Sequence, residues 1–217
     1  MNKAVMISIQ PRWCELIASG KKTIEVRKTR PQIETPFKIY IYCTMGETIR
    51  NISGGRTMAP YKEFWVGKPL NNISKGRWIG NGKVIGEFVC KKITGTALWR
   101  LEGNTGRCAE RTEFEKMVPQ LACLSMAEIE KYAGSETRGI YCWHISDLVI
   151  YDKPKELSDF FRMCPSFDVA FGSCWNCNAA VGEECECGLD GMIPLSRPPQ
   201  SWCYVDGFIK KDGDSNG

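Results

Sequence analysis

Hydrophobic and polar positions alternate along Ala4–Ile9, with Val5, Ile7 and Ile9 on one side, and this two-residue period predicts a strand. The next apolar positions, Trp13, Leu16 and Ile17, fall three and four apart, as on one helix face. Pro11 suits the first turn of that helix, where its missing N–H costs nothing, and Gly20 suits its end. Alternation resumes over residues 23–28, Phe37–Cys43 and 84–90, three further strands, the last entered through the turn signal Asn81-Gly82. Residues 110–117 read as a short helix. Ser125 with Glu128 three residues later forms a capping box, so a helix is expected over Met126–Ala133, ended by Gly134. Residues 140–145 and 148–151 read as strands joined by a turn at Ser146-Asp147. Residues 154–162, with Leu157, Phe160 and Phe161 at helical spacing, read as a short helix, and 201–206 as a last strand after Pro198-Pro199. Residues 45–80 are rich in Gly, Asn and Ser and keep no period. They are expected to form an irregular insertion, docked in part through Tyr61, Phe64 and Trp65, and loops of this length are often functional. Residues 209–217 read as a flexible tail.

Six or seven short, mostly antiparallel strands with two or three helices describe an α+β protein around a small β-barrel. A chain of 217 residues with 43% apolar and 25% charged positions can bury a real core in one large domain or two small ones. No run approaches the ~18 apolar residues that a membrane span requires. The strand pattern starts directly after Met1-Asn2-Lys3, without the apolar segment of a signal peptide, so a cytosolic protein with no membrane partner is expected.

Charge is concentrated in one place. Residues 21–30 carry five basic side chains against one acid, a local +4 that equals the formal surplus of the whole chain. In a strand, Ile24 and Val26 point one way, into a core, while Thr23, Glu25 and Arg27 point the other, with Lys22 at the start. The plain account is an exposed strand with a weak Glu25–Arg27 surface pair, worth roughly 0–1 kcal/mol.

The pattern Gly20-x-Lys22-x-x-Glu25-x-Arg27, preceded by a strand and a Pro-Arg-Trp helix start, resembles the signature of the ASCH domain, a relative of the PUA and YTH RNA-binding folds. The segments NGKVIGEFVC (81–90), GIYCWHISDLVIYDKPKELSDF (139–160) and RPPQSWCYV (197–205) also resemble ASCH proteins of bacteria and their phages. The resemblance implies a PUA-like barrel in a single domain over 1–208, with insertions at about 45–80, 100–123 and 162–196. It also implies a cleft beside the barrel, lined by Lys22, Glu25 and Arg27, that binds single-stranded RNA, a nucleoside or a nucleotide. Arg27 offers a planar fork for phosphate or a base edge, Lys22 a mobile point charge, and Glu25 an acceptor for an exocyclic amine. Single-stranded RNA also wants aromatic faces, for which Trp13 and Trp202 are candidates beside a core-packing role, and Arg197 and Gln200 are expected near the same cleft. Some small ASCH proteins are similar to amidohydrolases acting on acylated cytidine through a lysine, a threonine and a glutamate, and others have been described as ribonucleases. Lys22 matches that lysine, but Glu25 stands in the threonine's place, and Leu121-Ala122-Cys123 offers no counterpart of the glutamate. On the enzymatic alternative Glu25 acts as general base and Lys22 stabilises an oxyanion. A protein-interaction module, with no partner identified, is a third class.

Of twelve cysteines, seven are scattered singly and suit small core positions, because a reducing cytosol disfavours disulfides. Cys174-x-x-Cys177 and Cys185-x-Cys187, with Cys164 as an alternate, supply enough thiols for a structural, tetrahedral zinc site, or else a loop of free thiols. No cofactor for function is expected. His144, the one histidine, shares a strand face with Ile140 and Cys142 and reads as a core or edge residue. Walker, Rossmann and HExxH patterns are absent, which leaves nucleotide hydrolysis of those kinds and zinc proteolysis without support.

Overall fold

The computed structural model describes residues 3–46, 48–50, 56–58, 63–67, 78–96, 109–134, 139–168, 170, 172–174 and 191–208. In chain order, β1 (Ala4–Ile9) leads through α1 (Pro11–Ala18) to β2 (Ile24–Arg27) and β3 (Phe37–Cys43). Two short hairpin pairs follow, β4 (Thr48–Arg50) with β5 (Arg56–Met58) and β6 (Trp65–Val66) with β7 (Trp78–Ile79). Next come β8 (Lys83–Thr96), α2 (Ala109–Ala122), α3 (Met126–Ala133) and β9 (Ile140–Lys155). The chain ends in short strands: β10 (Phe160–Met163), β11 (Phe167–Asp168), β12 (Ser173–Cys174), β13 (Met192–Pro194), β14 (Trp202–Val205) and β15 (Gly207–Phe208). No helix among the described residues is long and apolar enough to cross a membrane.

Six strands form one sheet in the order β14-β1-β3-β8-β9-β2, with β1 and β3 parallel and the other neighbours antiparallel. The expected small β-barrel takes the form of an open half-barrel. Its edge strands β2 and β14 share no ladder, yet the sheet curls enough for side chains to fasten one edge to the other. Arg27 Nη1 donates to Ser201 Oγ at 3.3 Å, Trp202 Nε1 donates to Thr29 Oγ1 at 2.9 Å, and the Gln32 N–H donates to Tyr204 Oη at 2.8 Å. Side chains thus stand where a closed barrel would have backbone hydrogen bonds.

Both faces of the sheet are buried. Val5, Ile7 and Ile9 pack with Cys14 and Ile17 of α1 and with Trp143, whereas Met6 on the opposite face joins Tyr40, Phe160 and Val205. A third cluster sets Ile24 and Val26 against Val118 and Ala122 of α2 and Ile129 and Ala133 of α3. Covering that face of β2 with two helices turns Glu25 and Arg27 inward.

Several expected boundaries move, among them that of β8, which runs on to Thr96. Residues 140–151 are one strand: from Glu87 to Val89 β8 advances two residues while β9 goes from Val149 to Ser146, three. Asp147 takes a left-handed φ of 48° there, so the expected turn is a bulge inside a continuous ladder. Residues 154–162 give only a single 3-10 turn at Leu157–Asp159, because Phe160 is drawn into β10, its ring edge-on to Tyr40 at 4.9 Å. The helix expected over 110–117 runs on to Ala122 despite Pro119. Within the 45–80 stretch Phe64 is buried in the main core and Trp65 is exposed, while Tyr61 lies outside the described residues.

Candidate functional site

All four residues of β2 are buried, and the side chains of Lys22, Glu25 and Arg27 are only 2%, 9% and 9% exposed. The plain account of a weak surface pair gives way to a buried triad. Glu25 is its centre: Oε1 lies 3.1 Å from Arg27 Nη2 and Oε2 lies 3.3 Å from Lys22 Nζ. Each cation is also tied to backbone. Lys22 Nζ donates to the Ala122 carbonyl at 2.7 Å, at the C-terminus of α2, where the helix dipole favours positive charge. Arg27 Nη2 donates to the Ser8 carbonyl at 2.6 Å, and the Ser8 hydroxyl in turn donates to the Pro199 carbonyl, also at 2.6 Å.

The triad floors a cleft of about 840 Å³ whose walls come from the end of β1, from α1, β2 and α3, and from Thr44 just after β3. Five cations line it, Arg12, Lys22, Arg27, Lys28 and Lys131, against two carboxylates, Glu25 and Glu128. Arg12 and Glu128 meet across the opening at 3.9 Å, both about half exposed, a contact worth little by itself. Arg12 also lies 4.0 Å from the Trp13 ring centroid and Lys28 5.2 Å from that of Tyr132. Burial pushes the Tyr132 phenol up, and the nearby Arg27 charge opposes the shift without cancelling it, so the phenol stays protonated near neutral pH.

Among the described residues four shielded side-chain atoms have no hydrogen-bond partner: Glu25 Oε2, Arg27 Nε, Thr44 Oγ1 and Trp143 Nε1. Glu25 Oε2 feels the charge of Lys22 without receiving an aligned hydrogen bond from it. The first three atoms belong to residues lining this cleft. Buried polar atoms are normally satisfied, so their concentration at one place is informative.

Of the residues singled out in the sequence, Lys22, Glu25, Arg27, Trp13 and Gln200 meet at the cleft. Arg197 instead lines a separate groove of about 410 Å³ with Arg162 and Cys203. Trp202 packs between Trp143, tilted with centroids at 6.0 Å, and Tyr204, edge-on at 5.4 Å, and belongs to the seam. His144 contacts Thr94 Oγ1 at 3.2 Å, and burial together with Lys92 lowers its pKa. Cys164 and Cys174 bring their sulfurs to 3.6 Å, while Cys177, Cys185 and Cys187 lie outside the described residues. Among the described residues no three His, Cys, Asp or Glu side chains gather as a metal site. Thr44, Arg12, Lys131 and Tyr132 were missed by sequence reasoning. All lie at or in expected elements, but only the docking of α3 over β2 reveals that they face one cleft.

The model of the ASCH domain matches residues 7–148 of the 217, a span that contains the triad, Trp13 and α3. The chain belongs to the ASCH domain family. That family is often linked to RNA binding. Among solved structures, a crystal structure of ASCH from Zymomonas mobilis is 17% identical, covers 96% of this chain and 88% of its own, and superposes with a TM-score of 0.43. Two single-residue variants of the same Zymomonas mobilis ASCH protein are each 16% identical, cover 96% of this chain and 91% and 89% of their own, and give the same TM-score of 0.43. No curated protein matches this ASCH chain by sequence. Gln200, Arg197, Trp202 and the cysteine-rich stretch lie beyond the ASCH match.

Proposed function

We propose that this ASCH protein, with its half-barrel taken as a PUA-like core, binds single-stranded RNA or a nucleotide unit of it in the cleft floored by Lys22, Glu25 and Arg27. The observation that carries this reading is a coincidence: the cationic cleft also holds the three unpartnered, shielded polar atoms. A phosphodiester supplies the missing negative charge, and a base edge supplies the missing hydrogen bonds. These atoms are shielded, so the side chains turn toward the cleft on binding, where Glu25 Oε2 accepts an N–H, Arg27 Nε donates one, and the Thr44 hydroxyl does either. Trp13 and Tyr132 add aromatic surface in the same walls.

The roles divide by exposure. Lys22 and Arg27 are tied to Glu25 and to backbone carbonyls, so they shape the floor and its potential. Phosphate contacts fall to the exposed rim cations Arg12, Lys28 and Lys131. Arg12 exchanges its weak Glu128 contact for phosphate on binding. Both oxygens of Glu25 already lie against cations, and this geometry adds no support to the hydrolase alternative.

The test is a calorimetric titration of wild type and Thr44→Val with a short single-stranded RNA, its DNA counterpart and free nucleotides, the ligands being checked afterwards for conversion. Valine keeps the branched shape and removes an unpaired hydroxyl, so the variant should unfold at or above the wild-type midpoint. Its RNA affinity should fall by the worth of one hydrogen bond, about 0.5–1.5 kcal/mol or roughly two- to tenfold. Absence of RNA and nucleotide binding, or wild-type affinity in Thr44→Val, would contradict the reading.

A further inference from the structure

The groove of about 410 Å³ that holds Arg162 and Arg197 shares no lining residue with the cleft. Arg162 comes from β10, where it pairs with Ile193 of β13, and Cys203 comes from β14, where it pairs with Met6 of β1. Arg197 lies in the segment between β13 and β14. The lining thus carries two guanidinium groups and no carboxylate. Both arginines are exposed, and among the described residues neither forms an ion pair. Burial raises the Cys203 thiol and the Arg162 charge opposes that shift, so the guanidinium on β10 makes itself felt at β14. Ile193 and the buried Leu195 supply apolar lining beside the charges.

Groove and cleft share a wall. Pro199 lines the groove, and Gln200, the next residue, lines the cleft. Successive Cα atoms are about 3.8 Å apart, so the wall is a single chain thick. Ser8, itself a cleft residue, fixes it on either side of Gln200. Its hydroxyl donates to the Pro199 carbonyl at 2.6 Å, and its N–H donates to the Ser201 carbonyl at 3.0 Å. Arg27 Nη1 donates to the Ser201 hydroxyl at 3.3 Å, which ties the wall to the triad as well. The result is a fixed crest with cations on both sides, over which a flexible polyanion can pass.

We propose that this groove is a second subsite for the same RNA strand: Arg162 and Arg197 grip the phosphodiester next along the chain from the nucleotide in the cleft. This role rests on RNA occupying the cleft, and it extends recognition from one nucleotide unit to a strand. Guanidinium forks match phosphate oxygens, and the apolar lining takes the sugar carbons. Ligands are sorted by length as a consequence. A mononucleotide fills the cleft alone, whereas an oligonucleotide crosses the Pro199-Gln200 wall and gains the second contact.

The test compares wild type with Arg162→Ala/Arg197→Ala, each titrated with a nucleoside monophosphate and with a short single-stranded RNA. Both positions are exposed, so the variant should unfold at the wild-type midpoint. Its affinity for the mononucleotide should equal that of wild type. Its affinity for the RNA should fall roughly five- to tenfold, the worth of two exposed charge contacts. The salt slope of RNA binding should become shallower by about 0.7, one phosphate contact. A second readout uses wild type alone: the RNA should slow alkylation of Cys203, followed by mass spectrometry of its peptide, and the mononucleotide should not. Equal RNA affinity in the two proteins, or Cys203 alkylation indifferent to RNA, overturns the groove subsite, while mononucleotide binding leaves the cleft standing. Loss of mononucleotide affinity in the variant also overturns it, since groove and cleft would not then be separate subsites. Wild type that binds neither ligand overturns both.

Discussion

Glu25 faces two cations inside a nearly closed space, Lys22 at 3.3 Å and Arg27 at 3.1 Å, and its removal leaves both without a counter-charge. Breaking a buried ion network by deleting one partner costs about 3–5 kcal/mol, so Glu25→Ala should lower the stability read from urea unfolding by that order. Arg12→Ala, at an exposed position, should change it by no more than about 0.5 kcal/mol. Comparable losses in the two variants would mean that the triad is not the buried network described. The sequence brought Lys22, Glu25 and Arg27 to notice and correctly put Glu25 and Arg27 on one face of a strand. It did not disclose their burial. Alternation says which side chains share a face, whereas the cover comes from far along the chain: Lys22 is capped by Ala122, 100 residues on, and Arg27 is held by Ser201, 174 residues on.

Among the elements, α3 was the most legible, because its start signal is local. The Ser125 hydroxyl accepts the Glu128 N–H at 3.2 Å and the Glu128 carboxylate accepts the Ser125 N–H at 2.8 Å, the reciprocal pair that the spacing predicted. The helix presents Lys131 and Tyr132 to the cleft, so this cap bears on the site. The Ser125 N–H and hydroxyl hold the Glu128 carboxyl below its ordinary value of 4.5. A carboxyl depressed in the folded state contributes stability above its unfolded value and loses it as the pH falls through the folded one. Ser125→Ala should therefore cost about 1 kcal/mol near neutral pH, and less in acid, once Glu128 is protonated and the box is already broken. An equal penalty at both pH values would show that the carboxylate has no part in the cap. The elements that moved did so for tertiary reasons. Phe160 gains more from the core beside Tyr40 than from a helix, and the register slip opposite Asp147 has no local sequence signature.

For the whole molecule the decisive feature is a sheet that curls without closing. Closure by hydrogen bonds would fill the seam with backbone. The open seam instead admits Arg27, and the cleft lies beside it, between β2, the end of β1 and the helices. A strand count cannot distinguish a closed barrel from an open one, since the same six strands serve both. On the proposed reading, the cationic lining makes binding depend on salt. Each phosphate contact to a single strand releases condensed counterions, so log K falls against log salt with a slope of about −0.7 per contact. The most direct measurement is the affinity for a short single-stranded RNA over a range of salt concentrations, for wild type and for Arg12→Ala/Lys131→Ala. The expected result is binding whose salt slope becomes shallower by about 1.4 in the double variant, at unchanged stability. No binding at low salt, or the same slope in both proteins, would contradict RNA recognition in this cleft.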